Sequence, residues 1–298
     1  MSRSTPVVGA EVLRQVKQIE LRTRKLVGSL FSGEYRSVFR GEGIEFAEVR
    51  EYQQGDDFRS IDWNVSARMG RPFVKLFEEE RELTLLLVVD RSGSVEFGKP
   101  QAKASIAVEV AAILALAGAR NNDRISALIF SDDVDHVVPA AKGRAHALRV
   151  IRDLIMFEPV NRGTNLNKAL AYAGRLLRHR GIIVVLSDFR DDDWEESMRR
   201  LSRRHEVIAI SVDDPREREM PDVGWIDLED AETGARKLVN TGRGTAKNTV
   251  RVALEKLRLQ RARVMERIGV DHIQLQTDRS YVSALIKAFA RRARRYSR

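Results

Sequence analysis

Two aspartates and three hydroxyl residues stand where a divalent cation could be bound. They are Asp90, Ser92, Ser94, Thr164 and Asp188. The first three form an Asp-x-Ser-x-Ser sequence directly after one apolar run, Thr164 precedes a helical pattern, and Asp188 directly follows another apolar run. Carboxylate and hydroxyl oxygens, without His or Cys, are the ligands that a hard cation such as Mg²⁺ prefers. The set therefore predicts a Mg²⁺ site, at which Mn²⁺ or Ca²⁺ could also bind.

Each of these residues also has an ordinary structural explanation when it is taken alone. Asp90 could cap the following turn, and Ser94 and Thr164 are common residues at helix N-termini. The order of the residues, each placed beside a predicted buried element, favours the metal site over unrelated caps.

Four short apolar runs predict the strands that would position these residues. Each run is nearly unbroken, as in a central parallel strand that is buried on both faces. The runs are Leu83–Val89, Ile125–Phe130, Ile182–Leu186 and Val207–Val212. Helical patterns lie between them, at 102–119, 145–156, 166–177 and 195–201. This alternation predicts an α/β fold with a doubly wound, mostly parallel sheet and helices on both faces. Ligands of such sheets bind outside the carboxyl ends of the strands, where Asp90 and Asp188 would lie.

The metal-ligand pattern resembles the metal-ion-dependent adhesion site of von Willebrand factor A (vWA) domains. Asp90, Ser92 and Ser94 match the first loop of that site, Thr164 the second and Asp188 the third. The resemblance implies that the three hydroxyls ligate the metal directly and that the two aspartates reach it directly or through water. In that family an acidic side chain of a partner protein completes the coordination, so the chemistry is ligand exchange rather than turnover.

A second motif lies upstream, from Glu48 through Trp63 to Arg68. Its sequence, EVREYQQGDDFRSIDWNVSAR, resembles the hallmark of the bacterial DUF58 family, which places it just before a vWA-like domain. The resemblance implies a non-enzymatic adaptor that works with a MoxR-type AAA+ ATPase in assembling or remodelling other proteins, with peripheral membrane association as a further option. The charged residues of this segment could form a paired network around Tyr52 and Trp63 that stiffens an irregular sheet; they are Arg50, Asp57, Arg59, Asp62 and Arg68. The same arginines could instead form a docking surface or an anion site, but acids and bases alternate here, which favours the paired network.

The domain organisation follows from a change of pattern near residue 80. Residues 1–80 predict a helix over 12–30 and a β-rich subdomain that carries the Arg50 to Arg68 motif. Residues 81–298 predict the vWA-like domain, with a small β excursion near 221–240. A further helix, strand and helix are predicted at 246–268, 272–276 and 281–295.

Composition excludes several classes of protein. The chain has 298 residues and 43% hydrophobic residues, enough for a sizeable core, and it has no cysteine. A disulfide framework, a thiolate metal site and a cysteine nucleophile are thereby excluded. The longest apolar run, Val110 to Ala119, is far short of the roughly 20 residues that span a bilayer, and the start is not an apolar signal core. We therefore expect a soluble, cytoplasmic protein.

The positive charge is concentrated at the C-terminal end. The net charge is +9, yet residues 241–298 alone carry 15 Lys and Arg against 4 Asp and Glu. Such a segment is either a solvated helical face or a surface for nucleic acid or anionic lipid. The arginines are not interleaved with aromatic residues as a base-stacking surface requires, which disfavours nucleic acid.

Enzyme alternatives fit the sequence less well. Ser92 occupies the position where an aspartyl-nucleophile phosphatase needs its second aspartate. The Gly-x-Ser-x-Gly elbow of serine hydrolases and the spacing of a phosphate-binding loop are both missing. A metal-dependent nuclease, with Asp90 and Asp188 on the ion and the basic C-terminal region on the phosphates, is the strongest alternative.

Overall fold

The computed structural model of the chain describes residues 14–21, 45–78, 83–96, 103–159, 161, 163–217, 223–229, 234–241 and 244–296. Of the predicted N-terminal helix over 12–30, the part at 14–21 is helical (α1) and the remainder lies outside the described residues. The chain divides into two compact units, one of residues 1–38 and 84–298 and the other of residues 39–83. The N-terminal helical segment thus groups with the α/β unit, whereas the sequence pattern divides the chain near residue 80.

Six strands form the main sheet: β3 (Thr84–Asp90), β4 (Arg124–Phe130), β5 (Val134–Ala141), β6 (Ile182–Ser187), β7 (Glu206–Asp213) and β10 (Asp271–Gln276). Their order across the sheet is β10-β7-β6-β3-β4-β5, and all of them except β5 run parallel. The four predicted apolar runs lie in β3, β4, β6 and β7, and these central strands are buried along nearly their whole length. The predicted doubly wound, mostly parallel α/β fold is confirmed.

The sixth strand, β5 (Val134–Ala141), is absent from the sequence interpretation. It pairs antiparallel with β4 at the edge of the sheet, and only Val138 in it is buried. An edge strand that faces solvent does not form a continuous apolar run, and it tolerates a proline such as Pro139. For these reasons the pattern that identified the central strands could not identify β5.

Helices cover both faces of the sheet. They are α3 (Lys103–Arg120), α4 (Arg144–Met156), α5 (Leu166–Leu176), α6 (Trp194–Arg204), α7 (Gly244–Arg267) and α8 (Tyr281–Tyr296). On one face, α5 and α6 pack on alternate strand residues such as Leu86, Val88 and Val185. The helix α3 contacts β3 and β4 and packs against α1 and α4 through Ala112, Val16 and Ile151. Two helical layers around one buried sheet give the core of this unit.

The smaller elements are local. The strands β8 (Trp225–Glu229) and β9 (Arg236–Asn240) form an antiparallel pair within the predicted excursion. In the second unit, β1 (Glu45–Glu51) pairs antiparallel with β2 (Phe73–Glu78), and the short helix α2 (Trp63–Met69) lies between them in sequence. No helix among the described residues is both long and apolar enough to cross a bilayer.

The acidic residues of the Arg50 to Arg68 segment make local contacts. Arg50 pairs through two hydrogen bonds of 2.7 Å with Asp56, which the predicted charge network left out. Asp57 instead caps the turn at Phe58–Ser60, and Asp62 caps α2 by accepting hydrogen bonds from the amides of Asn64 and Val65. Helix caps and one bidentate pair therefore account for these acids.

A close approach of two strands requires glycine at residue 181, just before β6. A Cβ atom there would lie 2.7 Å from the backbone oxygen of Thr84, at the start of β3. We expect Gly181→Ala to lower the free energy of unfolding by about 1–3 kcal/mol, because strand backbones must shift to relieve the overlap. Urea unfolding measures this change.

Gly174→Ala is the matched control. Its Cβ would lie 3.3 Å from Leu201 Cδ1, the end of a side chain that can move, and alanine is favoured within a helix. We expect little change in its unfolding midpoint. A Gly181→Ala protein as stable as the wild type would show that the contact between β3 and β6 is not as close as described.

Candidate metal centre

The order of the strands brings the two predicted aspartates to one edge of the sheet. Asp90 is the last residue of β3, and Asp188 directly follows β6. These strands are parallel neighbours, with Val89 paired to Leu186, so both carboxylates lie at the carboxyl ends of adjacent strands. Asp90 is fully buried and Asp188 is nearly so. Two carboxyl groups that are 98 positions apart in sequence thus share one buried region.

Hydrogen bonds fix the Asp90 carboxylate and the loop after it. Ser187 Oγ donates to Asp90 Oδ2 at 2.6 Å, and the backbone amide of Ser92 donates to Oδ1 at 2.9 Å. Ser92 Oγ and Ser94 Oγ lie 3.1 Å apart. Ser92 and the turn at Gly93–Glu96 that follows it therefore hold two hydroxyl oxygens next to each other, just after a buried carboxylate.

Thr164 lies in a loop that two neighbouring segments hold at the same edge of the sheet. The amide of Asn165 donates to the backbone oxygen of Ser131, which follows β4, at 2.7 Å. The amide of Leu166, the first residue of α5, donates to Asp191 Oδ2 at 2.7 Å. The loop is thus positioned between the end of β4 and the segment that follows Asp188.

A buried lysine contacts the second aspartate. Lys103 Nζ lies 2.8 Å from Asp188 Oδ2 and 2.8 Å from Glu217 Oε1, and the lysine side chain is 0% exposed. Arg190 also bridges these two acids, with its Nε 3.6 Å from Asp188 Oδ2 and a hydrogen bond to Glu217. Asp188 therefore already has two cationic neighbours.

The two aspartates differ in their electrostatic environment. Burial, followed by the neighbouring charge of Asp188, raises the pKa of Asp90 to about 7. Burial also acts to raise the pKa of Asp188, but the charges of Lys103 and Arg190 hold it below its ordinary value. Asp188 is thus a compensated carboxylate, whereas no cation in the described part of the chain contributes to the pKa of Asp90.

The donors at this edge fit a hard divalent cation in part. Two carboxylates and two adjacent hydroxyls are oxygen donors of the kind Mg²⁺ takes, and a buried carboxyl with a raised pKa is a group that a cation would stabilise in its charged form. Among the described residues, however, no three His, Cys, Asp or Glu side chains cluster as metal ligands. A metal here would therefore depend on the hydroxyls of Ser92, Ser94 and Thr164 as well as on Asp90 and Asp188.

Sequence reasoning missed Lys103 and Glu217. Lys103 had a visible signal, because it is a lone cation at the start of an otherwise apolar helical pattern that continues to Glu109. Glu217 had none, since it stands in the mixed-charge run Arg216-Glu217-Arg218-Glu219.

One Ser–His pair occurs near the site and is structural. Ser211 Oγ and His272 Nε2 lie 2.9 Å apart and link the neighbouring strands β7 and β10. Ser211 is fully buried within β7, so its hydroxyl is closed to substrate. Burial, followed by the charge of Arg261, lowers the pKa of His272 to about 4, which keeps the ring neutral.

Several arginines of the basic C-terminal region pair with acids of the α/β unit. Arg261 Nη2 lies 2.7 Å from Asp213 Oδ2, and its Nη1 donates to the backbone oxygen of Asp188 at 2.5 Å. Arg267 contacts Glu195 at 2.7 Å, and the buried Arg292 pairs with Asp271. Part of the basic charge thus holds α7 and α8 on the sheet, and Arg261 also supports the loop of Asp188.

Comparison with known proteins places the chain in a family. The family described as "Protein of unknown function DUF58" matches residues 48–263. The uncharacterized protein Rv1480 of Mycobacterium tuberculosis is 33% identical over 283 residues, which cover 94% of this chain and 89% of the relative. The uncharacterized protein YeaD of Bacillus subtilis is 45% identical over 51 residues, which cover 17% of this chain and 13% of YeaD.

Among solved structures, the conserved hypothetical protein BatB of Bacteroides thetaiotaomicron matches 71% of this chain and 99% of its own, with 13% identity and a TM-score of 0.46. The VWA domain of SpRpn10 matches 44% of this chain and 75% of its own, with 12% identity and a TM-score of 0.35. The extent of the sequence matches shows that the chain belongs to the DUF58 family.

Proposed function

We propose that this protein is a non-enzymatic adaptor that binds an acidic residue of a partner protein through a divalent cation. The cation, Mg²⁺ in our proposal, would be held by Asp90, Ser92, Ser94, Thr164 and Asp188. The observation that carries the proposal is the arrangement around Asp90, where a buried carboxylate is followed by two hydroxyls 3.1 Å apart and lies at the same sheet edge as Asp188.

The chemistry of this arrangement favours binding over turnover. A bound Mg²⁺ would offer open coordination positions to an outside carboxylate. The chain's own groups would orient that ion: Asp90 is held by Ser187 and by the amide of Ser92, so its oxygens are fixed before any ligand arrives. Ser92 Oγ faces Ser94 Oγ rather than a proton acceptor of the kind that activates a serine nucleophile.

The partner is proposed by chemistry first and by family resemblance second. The site calls for a protein that presents an Asp or Glu side chain. A MoxR-type AAA+ ATPase is the candidate that the family resemblance supplies, with a role in assembling or remodelling other proteins.

A pull-down tests this proposal. Lysate is passed over immobilised wild-type protein with Mg²⁺ or with EDTA, and captured material is identified by mass spectrometry. We expect a protein partner that is retained with Mg²⁺ and lost with EDTA. Ser92→Ala, which removes one hydroxyl ligand, should lose the same partner in Mg²⁺.

Ser283→Ala is the matched control for the pull-down, because the Ser283 hydroxyl makes only a local bond to the backbone of Ser280 among the contacts described. It should capture as the wild type does. A partner that is retained in EDTA and by Ser92→Ala would overturn the proposal. Enrichment of nucleic acid instead would favour the basic C-terminal region as the functional surface.

A further inference from the structure

We infer that Lys103 is a built-in cation that competes with the divalent metal for Asp188. The inference rests on the proposed function, and it assigns a regulatory role to a residue outside the metal-ligand motif. In the metal-free protein the Lys103 ammonium neutralises the Asp188 carboxylate, and a metal ion has to share or displace it.

The first argument is the burial of the ammonium. A lysine side chain is seldom fully buried, because removing its charge from water is costly unless anionic partners compensate for it. Lys103 is 0% exposed and contacts two carboxylates, each at 2.8 Å. Its position is therefore determined by Asp188 and Glu217.

The second argument is the position of Lys103 in its helix. It is the first residue of α3, where the partial positive charge of the helix N-terminus disfavours a cation. No acidic residue lies in the first turn of α3 to offset this effect. The energy that holds the ammonium in place must then come from the two acids, which lie outside the helix.

The third argument is the count of charges around Asp188. Asp90, Asp188 and Glu217 supply three carboxyl groups, and Lys103 and Arg190 supply two cationic groups. With all three carboxyl groups ionised, this group of side chains carries a net negative charge, and an added divalent ion would make the net charge positive. Repulsion between the ion and the Lys103 ammonium would weaken metal binding.

Access to Asp188 is compatible with such an exchange. A cavity of about 190 Å³ lies beside Asp188, Arg190 and Glu217, and a space of this size can hold several water molecules. An ion from solvent would therefore approach Asp188 through this cavity, which is lined by both acids that contact the ammonium.

The test compares Mg²⁺ binding to the full-length wild type and to variants that lack the ammonium. Lys103→Met keeps the length of the side chain and removes its charge. Lys103→Met combined with Glu217→Gln also removes one of the two acids, so it is the variant that we expect to fold without metal. Isothermal titration with MgCl₂ at pH 8 gives the affinity, and thermal unfolding in EDTA or in MgCl₂ gives the stability.

We expect Mg²⁺ to bind the double variant at least about 10-fold more tightly than the wild type, because the ammonium that lies 2.8 Å from Asp188 Oδ2 is gone, whereas the Glu217 carboxylate removed with it is not a proposed metal ligand. Lys103→Met should unfold at a lower temperature than the wild type in EDTA and recover in MgCl₂. Lys168→Met is the control, since Lys168 is half exposed and lies 3.5 Å from Asp133; it should match the wild type in both measurements.

The outcomes separate the inference from the proposed function. Equal Mg²⁺ affinity in the wild type and the double variant overturns the inference and leaves the adhesion site in place. Absence of Mg²⁺ binding in every folded variant overturns the metal site of the proposed function. Binding by the double variant alone supports the inference and overturns the proposed function, because it shows that Lys103 occupies the site of the native protein in place of Mg²⁺.

Discussion

Asp90→Asn is expected to reduce both Mg²⁺ affinity and Mg²⁺-dependent partner capture by at least about 100-fold, because the cation loses the charge of one carboxylate. The substitution removes one of the two carboxylates of the proposed site and keeps the shape of the side chain. The amide oxygen of asparagine can still accept the hydrogen bond from the backbone amide of Ser92, so the loop geometry is retained. The lost Mg²⁺ affinity would therefore be caused by the missing charge of Asp90 and not by a local rearrangement.

Titration calorimetry with MgCl₂ and a capture assay on the purified partner measure this effect. Asp133→Ala is the matched control, because Asp133 follows the neighbouring strand β4 and its side chain is exposed. Its Mg²⁺ affinity should equal that of the wild type. If Asp90→Asn binds Mg²⁺ and captures the partner as well as the wild type does, the proposed site is in the wrong place.

The contribution of Asp90 to the stability of the protein in EDTA is expected to fall as pH rises from about 4 to 7. Burial and the charge of Asp188 raise the pKa of Asp90 from 3.8 to about 7 in the folded state. Between these values the folded state binds up to one proton more at Asp90 than the unfolded state does, so this contribution decreases with pH by up to about 1.4 kcal/mol per unit. The pKa of Asp188 lies below its ordinary value, so Asp188 stays ionised across this window.

Urea unfolding in EDTA at pH 5, 6, 7 and 8 tests this expectation, with Asp90→Asn as the comparison. The variant has no titrating group at this position, so the difference between the two proteins isolates Asp90. We expect the variant to gain stability relative to the wild type from pH 5 to 7 and then to keep a constant difference. Parallel curves from pH 5 to 8 would mean that Asp90 is not held protonated by its surroundings.

The Arg50 to Arg68 segment shows that a charge pattern in the sequence does not predict which ion pairs form. The charge pattern predicted a network of Arg50, Asp57, Arg59, Asp62 and Arg68, and this network did not include Asp56. The bond of Arg50 goes to Asp56, six positions away across a turn. Two adjacent aspartates are equivalent in a charge pattern, and only the turn geometry decides which one the guanidinium reaches.

Local patterns by themselves determined the central strands and the first loop of the site. A strand buried on both faces must be apolar throughout, so β3, β4, β6 and β7 were visible as runs of Val, Leu and Ile. Ser92 and Ser94 lie within four residues of Asp90, so their closeness follows from one short turn. The family resemblance likewise rests on a contiguous motif.

Tertiary structure alone decided the order of the strands and the contacts that depend on it. The adjacency of β3 and β6 brings Asp188 close to Asp90. Because β5 lies at the edge of the sheet, it has no continuous apolar run from which the sequence could have predicted a strand. Tertiary structure also decided the placement of Lys103, whose ammonium donates a hydrogen bond to the carboxylate of Asp188, 85 positions away. Pairing across such distances depends on how whole elements pack, and a single-sequence pattern records only what each element needs for its own burial.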